Sequence, residues 1–96
     1  MEVILGRHAR EEFLEAIGWY SERSRTSAMG FLAAYQEARE RISSHPDRWP
    51  ELEPGVRRVL LRRYPYSLLY VIEDDHVLIL AVMHQRRDPG YWHDRR

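Results

Sequence analysis

The fold of this 96-residue chain is decided by the stretch Tyr66-Ser-Leu-Leu-Tyr-Val-Ile-Glu-Asp-Asp-His-Val-Leu-Ile-Leu-Ala-Val-Met83. It contains two apolar, β-prone runs, Tyr66–Glu73 and Val77–Met83, and the polar pair Asp74-Asp75 between them is typical of a tight turn. A strand, a short turn and a second strand predict an antiparallel hairpin. Because the second run is apolar throughout, it predicts a central strand that is covered by other elements.

Two more strands are predicted on the N-terminal side of this hairpin. Val56–Tyr64 is strand-like and carries a pair of Arg residues near each end. Glu2–Leu5 is a short β-prone run, which predicts an edge or early strand. The segment 45–55 contains three Pro and one Gly and predicts a loop. The three C-terminal strands are therefore expected to form an antiparallel meander.

Between residues 8 and 44 the apolar residues recur every three or four positions, which is the helical period. The interval Ser21–Ser27 breaks this pattern, and Thr26 or Ser27 can cap the second helix. That helix is predicted to end before Pro46. Two helices with so short a link should lie antiparallel. We therefore predict one α+β domain over residues 1–96, with the order β-αα-βββ, a helix hairpin packed on a small antiparallel sheet and a short C-terminal tail.

The charges are distributed unevenly along the chain. Fifteen basic and fifteen acidic side chains give a formal net charge of zero, and all fifteen basic residues are Arg. Residues 1–53 hold seven Arg and ten acids, a net of −3, whereas residues 54–96 hold eight Arg and five acids, a net of +3. A polyanion is thus expected to prefer the second half. On the first helix, Glu11 and Glu12 are predicted to lie on a solvated face.

Several classes of site are excluded by composition and spacing. The chain has no Cys, and its five His are scattered without a pair at helical spacing, so no metal site and no cofactor are predicted. No Gly-x-Ser-x-Gly elbow or glycine-rich phosphate loop is present. The longest apolar run, Val77–Met83, is too short to cross a bilayer, and no signal-peptide pattern precedes it. These features predict a soluble, cytoplasmic protein.

The Arg residues of the second half are the remaining candidate binding groups. Guanidinium groups bind phosphate oxygens in pairs, and aromatic rings stack on bases. Strand alternation would place Arg58 and Arg62 on one face. The alternative interpretation is a solvated basic face, or one that pairs with an acidic protein segment. The candidate residues for contact with phosphate or a target are Arg58, Arg62, Arg63, Arg86, Arg87 and Trp92.

His84 stands where the last apolar strand is predicted to end. An imidazole at this position can serve as a general acid or base. The alternative interpretation is a His whose ring is hydrogen-bonded to the backbone.

Four motifs are informative in combination: His45-Pro-x-x-Trp-Pro, Gly55-Val-Arg-Arg, Arg62-Arg-Tyr-Pro-Tyr66 and Val82-Met-His-Gln-Arg-Arg-Asp-Pro89. Together they resemble the RelE/ParE superfamily of type II toxin–antitoxin toxins, and the resemblance extends from Val3 to about Trp92. It implies a small antiparallel sheet with a helical hairpin on it. It also implies a cognate antitoxin as partner, in a toxin–antitoxin hetero-oligomer.

The resemblance implies one of two activities. One branch of the superfamily contains ribosome-dependent endoribonucleases that cut mRNA without a metal ion. The other branch is ParE-like and poisons DNA gyrase. If the chain is a nuclease, the resemblance assigns the site to Arg62, His84, Arg87 and Tyr91.

The nuclease pattern is only partly matched. Nuclease members commonly carry Arg in the strand motif Tyr-Arg-Leu-x-Tyr, where this chain has Ser67, and they carry Lys on the preceding strand, where only Arg58 or Arg62 could supply a charge. A phosphate transition state needs a donor at the first of these positions. We therefore expect a ParE-like, non-hydrolytic toxin with DNA gyrase as its target. The alternatives are an mRNA endoribonuclease and a protein that binds an antitoxin without being toxic.

Overall fold

The computed structural model describes all 96 residues, and its elements follow the predicted order. The elements are β1 Glu2–Leu5, α1 Arg7–Arg23, α2 Arg25–Ser44, β2 Glu51–Glu53, β3 Val56–Leu60, β4 Tyr66–Ile72, β5 His76–His84 and a short 3-10 helix His93–Arg95. One sheet contains the five strands in the order β1-β5-β4-β3-β2. The predicted α+β class, with a helix hairpin on a sheet and a short C-terminal tail, is confirmed.

The sheet is mixed, not purely antiparallel. β3, β4 and β5 form the predicted antiparallel meander, but β1 pairs with β5 in the parallel direction, with Val3 opposite Val77. A three-residue strand, β2, pairs with β3 inside the segment that was predicted to be a loop, so that prediction was wrong for these residues. Pro50 and Pro54 flank β2. This strand lies at an edge of the sheet, where Pro is tolerated.

The two helices are separated by a single residue. The break lies within the predicted interval Ser21–Ser27 but is limited to Ser24. The predicted cap at Thr26 or Ser27 was wrong, because both residues lie inside α2. The side chain of Ser24 caps α2 by accepting a hydrogen bond from the N–H of Ser27 at 3.2 Å. Neither helix has the length and apolar composition that a membrane-spanning helix requires.

The sheet is covered on both faces. The helices cover one face, where the large buried side chains include Phe31, Ile42, Leu68, Tyr70 and Ile79. The C-terminal tail covers the other face, where Trp92 is only 1% exposed. A β-bulge in β5 makes Leu80 an extra residue, and both Leu80 and Ala81 belong to this second core. The short C-terminal tail therefore carries a core residue.

β3 is shorter than predicted and ends at Leu60. Arg62 and Arg63 lie in the corner that follows, and Arg63 adopts a left-handed backbone conformation with φ of 70°. The expectation that Arg58 and Arg62 share a strand face was therefore wrong, because strand alternation does not extend beyond the end of a strand.

Candidate functional site

A cleft of about 400 Å³ lies between α1, the end of β5 and the C-terminal tail. We call it the α1–tail cleft. It brings together three of the four residues that the resemblance assigned to a nuclease site: His84, Arg87 and Tyr91. Arg62 does not line it. Aromatic rings from α1 and β4 complete the walls, namely Trp19, Tyr20 and Tyr66.

His84 is held in a fixed orientation at the end of β5. Its Nδ1 accepts a hydrogen bond from the backbone N–H of Arg86 at 3.0 Å, so a neutral ring carries its proton on Nε2. The ring of Tyr66 packs against it edge to face, with 5.0 Å between the ring centroids. The alternative interpretation, a ring that is hydrogen-bonded to the backbone, therefore holds for Nδ1. The other ring nitrogen, Nε2, has no protein partner.

The hydroxyl of Tyr91 is hydrogen-bonded to a neighbouring carboxylate. Its hydroxyl donates to Oε2 of Glu12 at 2.6 Å, and the guanidinium carbon of Arg87 lies 3.9 Å from the centroid of its ring. Burial and the carboxylate of Glu12 raise the pKa of Tyr91 far above its ordinary value. The phenol consequently stays protonated and serves as a donor to Glu12.

Glu12 was predicted to be solvated, but it is the centre of a buried polar cluster. Its side chain is 16% exposed, and Oε1 accepts from the backbone N–H of Val82 at 3.0 Å. Arg95 binds both carboxylate oxygens, at 2.8 and 3.2 Å, and also donates to the carbonyl of Leu80. These partners lie about 70 positions or more further along the chain, so no local sequence pattern points to them.

The cluster fills an open sheet edge. β1 pairs with β5 only as far as Leu5 and Ile79. Beyond that point the carbonyl of Leu80 and the N–H of Val82 bind side chains, Arg95 and Glu12 respectively, instead of a neighbouring strand. The backbone hydrogen-bonding groups at this edge are therefore satisfied without a further strand.

The remaining candidate residues are dispersed. Arg58, Arg63 and Arg86 are exposed and form no ion pair. Arg62 lines a different cleft, beside the C-terminal turns of α2. Trp92 was expected to contact a target, but it is buried and its Nε1 donates to the carbonyl of Pro89 at 2.7 Å. Its role in the free protein is to hold the tail on the sheet.

Ser67 and His84 point to opposite faces of the sheet. Ser67 is 3% exposed and lies opposite Met83, whose side chain belongs to the core under the tail. The ring of His84 lies on the helix face, next to Tyr66. An Arg at position 67 would thus point away from the α1–tail cleft. In addition, no three His, Asp or Glu side chains lie close enough together to hold a metal ion.

Comparisons with known proteins agree with this architecture. The family model described as "ParE toxin of type II toxin-antitoxin system, parDE" matches residues 3–89. A solved structure titled "Chromosomal ParDE TA system from P. aeruginosa" is 21% identical to this chain, covers 88% of it and 95% of its own length, and superposes with a TM-score of 0.64. At that identity, the likeness establishes a shared fold. No curated protein matches the chain in sequence.

Proposed function

This chain belongs to the ParE toxin family of type II toxin–antitoxin systems. We propose that it acts in the cytoplasm, where it binds DNA gyrase and thereby inhibits growth. We further propose that a cognate antitoxin binds this toxin and neutralises its activity. The match to the family model over residues 3–89 is the observation that carries this proposal. The solved ParDE neighbour supports an antitoxin as partner.

The arrangement of the candidate residues favours binding over hydrolysis. A metal-independent ribonuclease needs a general base, a general acid and a phosphate-stabilising cation that converge on one phosphate. In the α1–tail cleft, Tyr91 donates to Glu12, and Nε2 of His84 is the one candidate acid or base without a protein partner. Arg62 lines another cleft. This dispersal supports a toxin that does not cut its target.

The exposed Arg residues are the groups that we assign to contact with the target or with an acidic antitoxin segment. Arg58, Arg63 and Arg86 have no carboxylate partner, so their guanidinium groups are available to a partner. Arg87 stacks on the ring of Tyr91 and is held at the mouth of the α1–tail cleft.

A supercoiling assay with purified toxin and purified gyrase tests the target. We expect loss of supercoiling or accumulation of cleaved DNA, and weaker inhibition by a double variant with Arg86→Ala and Arg87→Ala. Arg10→Ala removes an exposed Arg from α1 and is the control, because its inhibition should match that of the unmodified toxin. Gyrase that remains active at an excess of toxin would refute the gyrase assignment.

A second candidate function is mRNA cleavage on the ribosome. It is favoured by the presence of His84, Arg87 and Tyr91 in one cleft. Primer extension on cellular mRNA after induction of the toxin separates the two functions. New transcript ends that disappear in His84→Ala would support the nuclease, and intact transcripts together with growth arrest would support the gyrase toxin.

Co-expression with the neighbouring reading frame tests the antitoxin. We expect restored growth and a stable hetero-oligomer in size-exclusion chromatography. If the chain expressed alone does not slow growth but still binds that partner, the protein is an antitoxin-binding member without toxicity.

A further inference from the structure

A second cleft, of about 430 Å³, lies where the end of α2 meets the Pro-rich segment and the β3–β4 corner. Its walls are formed largely by cationic and aromatic side chains, and we call it the basic cleft. These side chains are Arg41, His45, Arg48, Trp49 and Arg62. None of them lines the α1–tail cleft.

Arg41 forms the inner wall of the basic cleft and is already paired with a carboxylate of the protein. Its Nη2 donates to the carbonyl of Leu60 at 3.0 Å, and its Nε lies 2.8 Å from Oε2 of Glu37. The charge of Glu37 is therefore neutralised within the protein. Arg41 positions the site, and the outer cations remain available to a ligand.

Arg48 and Arg62 are these outer cations. Both are exposed, and the side chain of Arg62 is 72% exposed, with Nε 3.8 Å from a Glu37 oxygen. The guanidinium carbon of Arg48 lies 5.6 Å from the centroid of the Trp49 ring, and Arg48 has no carboxylate partner. Two planar guanidinium groups with unused N–H donors thus face the same cleft. The spacing of these donors matches the oxygens of a phosphate.

The C-terminal end of α2 borders the basic cleft, and one of its last carbonyls is capped there. A free helix C-terminus repels negative charge. Here the carbonyl of Arg41 accepts hydrogen bonds from the N–H of His45 and from Nε1 of Trp49, each at 3.3 Å. The last carboxylate in the cleft, Glu40, is exposed and has no partner. Its carboxylate is the one unpaired negative side chain that opposes an anionic ligand.

We propose that the basic cleft binds phosphate groups of a nucleic-acid backbone. Nucleic acid carries its charges at high linear density, so that several phosphates act together against the single opposing charge of Glu40. Trp49 supplies an aromatic surface between the cations, as in other nucleic-acid grooves. This activity goes beyond the proposed inhibition of gyrase. It uses Arg62, one of the candidate contact residues predicted from the sequence, together with Arg48 and Trp49, which are not among those candidates.

Fluorescence anisotropy with a labelled DNA duplex, measured over a series of salt concentrations, tests the proposal. We expect binding that weakens as salt rises, and Arg48→Ala and Arg62→Ala should each lower the affinity and reduce the salt slope by about 1. Glu40→Gln should tighten binding, because it removes the only unpaired negative charge of the cleft. Inorganic phosphate should compete at high concentration.

The controls separate the basic cleft from general charge. Arg10→Ala changes the net charge equally but lies on α1, outside the cleft, and should leave DNA binding unchanged. Arg48→Ala removes only the contact with Trp49, so its circular dichroism and thermal unfolding should match the unmodified chain. The supercoiling assay on Arg48→Ala should show unchanged inhibition of gyrase, which keeps the two functions distinguishable.

Three outcomes would overturn the proposal. These are absence of duplex binding at low salt, an equal loss of affinity in Arg10→Ala, and weaker or unchanged binding in Glu40→Gln. Competition by poly-glutamate as effective as that by unlabelled duplex would also overturn it, since the ligand would then be an acidic protein segment.

Discussion

The carboxylate of Glu12 and the guanidinium of Arg95 form a two-point ion pair across 83 positions of the chain, at 2.8 and 3.2 Å. Both side chains are more than four-fifths buried, with exposures of 16% and 14%. The pair also binds the backbone of Leu80 and Val82, so it joins α1, the bulged part of β5 and the C-terminal tail.

Replacement of Glu12 by Ala should strongly destabilise the protein. It would leave the Arg95 charge without a carboxylate and the N–H of Val82 without an acceptor, and breaking a buried pair in this way costs about 3 kcal/mol. Urea unfolding followed by circular dichroism measures the change. Glu11→Ala is the matched control, because Glu11 is exposed and unpaired, and its effect should stay within about 0.5 kcal/mol. Equal losses in both variants would contradict the buried cluster.

Trp92→Ala should destabilise the fold as a core truncation does. The side chain is 1% exposed, and removal of a buried Trp costs about 4 kcal/mol. Trp19→Ala is the control, since Trp19 is 50% exposed and should lose much less. Denaturant midpoints of the two variants give the comparison. Toxicity lost through Trp92→Ala without loss of stability would assign Trp92 to target contact instead.

The stability of the protein should fall in alkaline solution because of its tyrosines. Burial raises the pKa of Tyr70 from 10.0 to about 12 and also raises those of Tyr20, Tyr66 and Tyr91. The folded state therefore holds these protons more tightly than the unfolded state. Their contribution to the free energy of unfolding is complete below about pH 10 and is lost as the pH rises through the folded pKa values.

The loss of stability at alkaline pH can be assigned to the Tyr side chains alone. The chain has no Lys and no Cys, and Arg keeps its proton, so Tyr is the only side chain that titrates there. Urea unfolding at a series of pH values, together with tyrosinate absorbance, measures the effect. Tyr70→Phe should show a smaller loss between about pH 10 and pH 12. A stability that does not change across this range would contradict the raised pKa values.

Two helical glycines should respond to Ala in opposite directions. A methyl group at Gly30 would meet the hydroxyl of Tyr64, which donates to the carbonyl of Ser27 at 2.8 Å. Gly30→Ala should therefore destabilise the protein, although Ala favours a helix by about 1 kcal/mol over Gly. A methyl group at Gly18 would meet no other atom, so Gly18→Ala should stabilise the protein by about 1 kcal/mol.

A Tyr64→Phe background tests the cause of the Gly30 effect. It removes the obstructing hydroxyl, and Gly30→Ala should then cost less than in the unmodified chain. Thermal unfolding of the four variants of this double-mutant cycle gives the coupling between the two sites. Additive effects would contradict the clash.

Periodicity predicted the elements whose partners are near in sequence. The β4–β5 hairpin, the helix stripes and the antiparallel meander followed from apolar spacing and turn residues. The parallel pairing of β1 with β5 did not, since spacing within a strand does not identify a partner more than 70 residues away. Strand β2 was hidden because the Pro residues that flank it also indicate a loop.

The candidate site was predicted in part for a similar physical reason. The motif around His84 and Arg87 marked residues that do share a cleft. Glu12 was missed, because helical spacing only shows that it lies off the apolar stripe, and its partners come from the end of the chain. Arg62 was placed on the wrong surface, since strand alternation was extended past Leu60, where β3 ends.

The ion pair between Glu12 and Arg95 also has a consequence for synthesis of the protein. A ribosome adds Arg95 long after it has released the first helix, and until then Glu12 and the core under Trp92 have no covering tail. The fold can close only after Arg95 has left the ribosome. Each newly made molecule therefore passes through an interval with an exposed sheet face, in which a protease or another protein can reach it before it becomes a finished toxin.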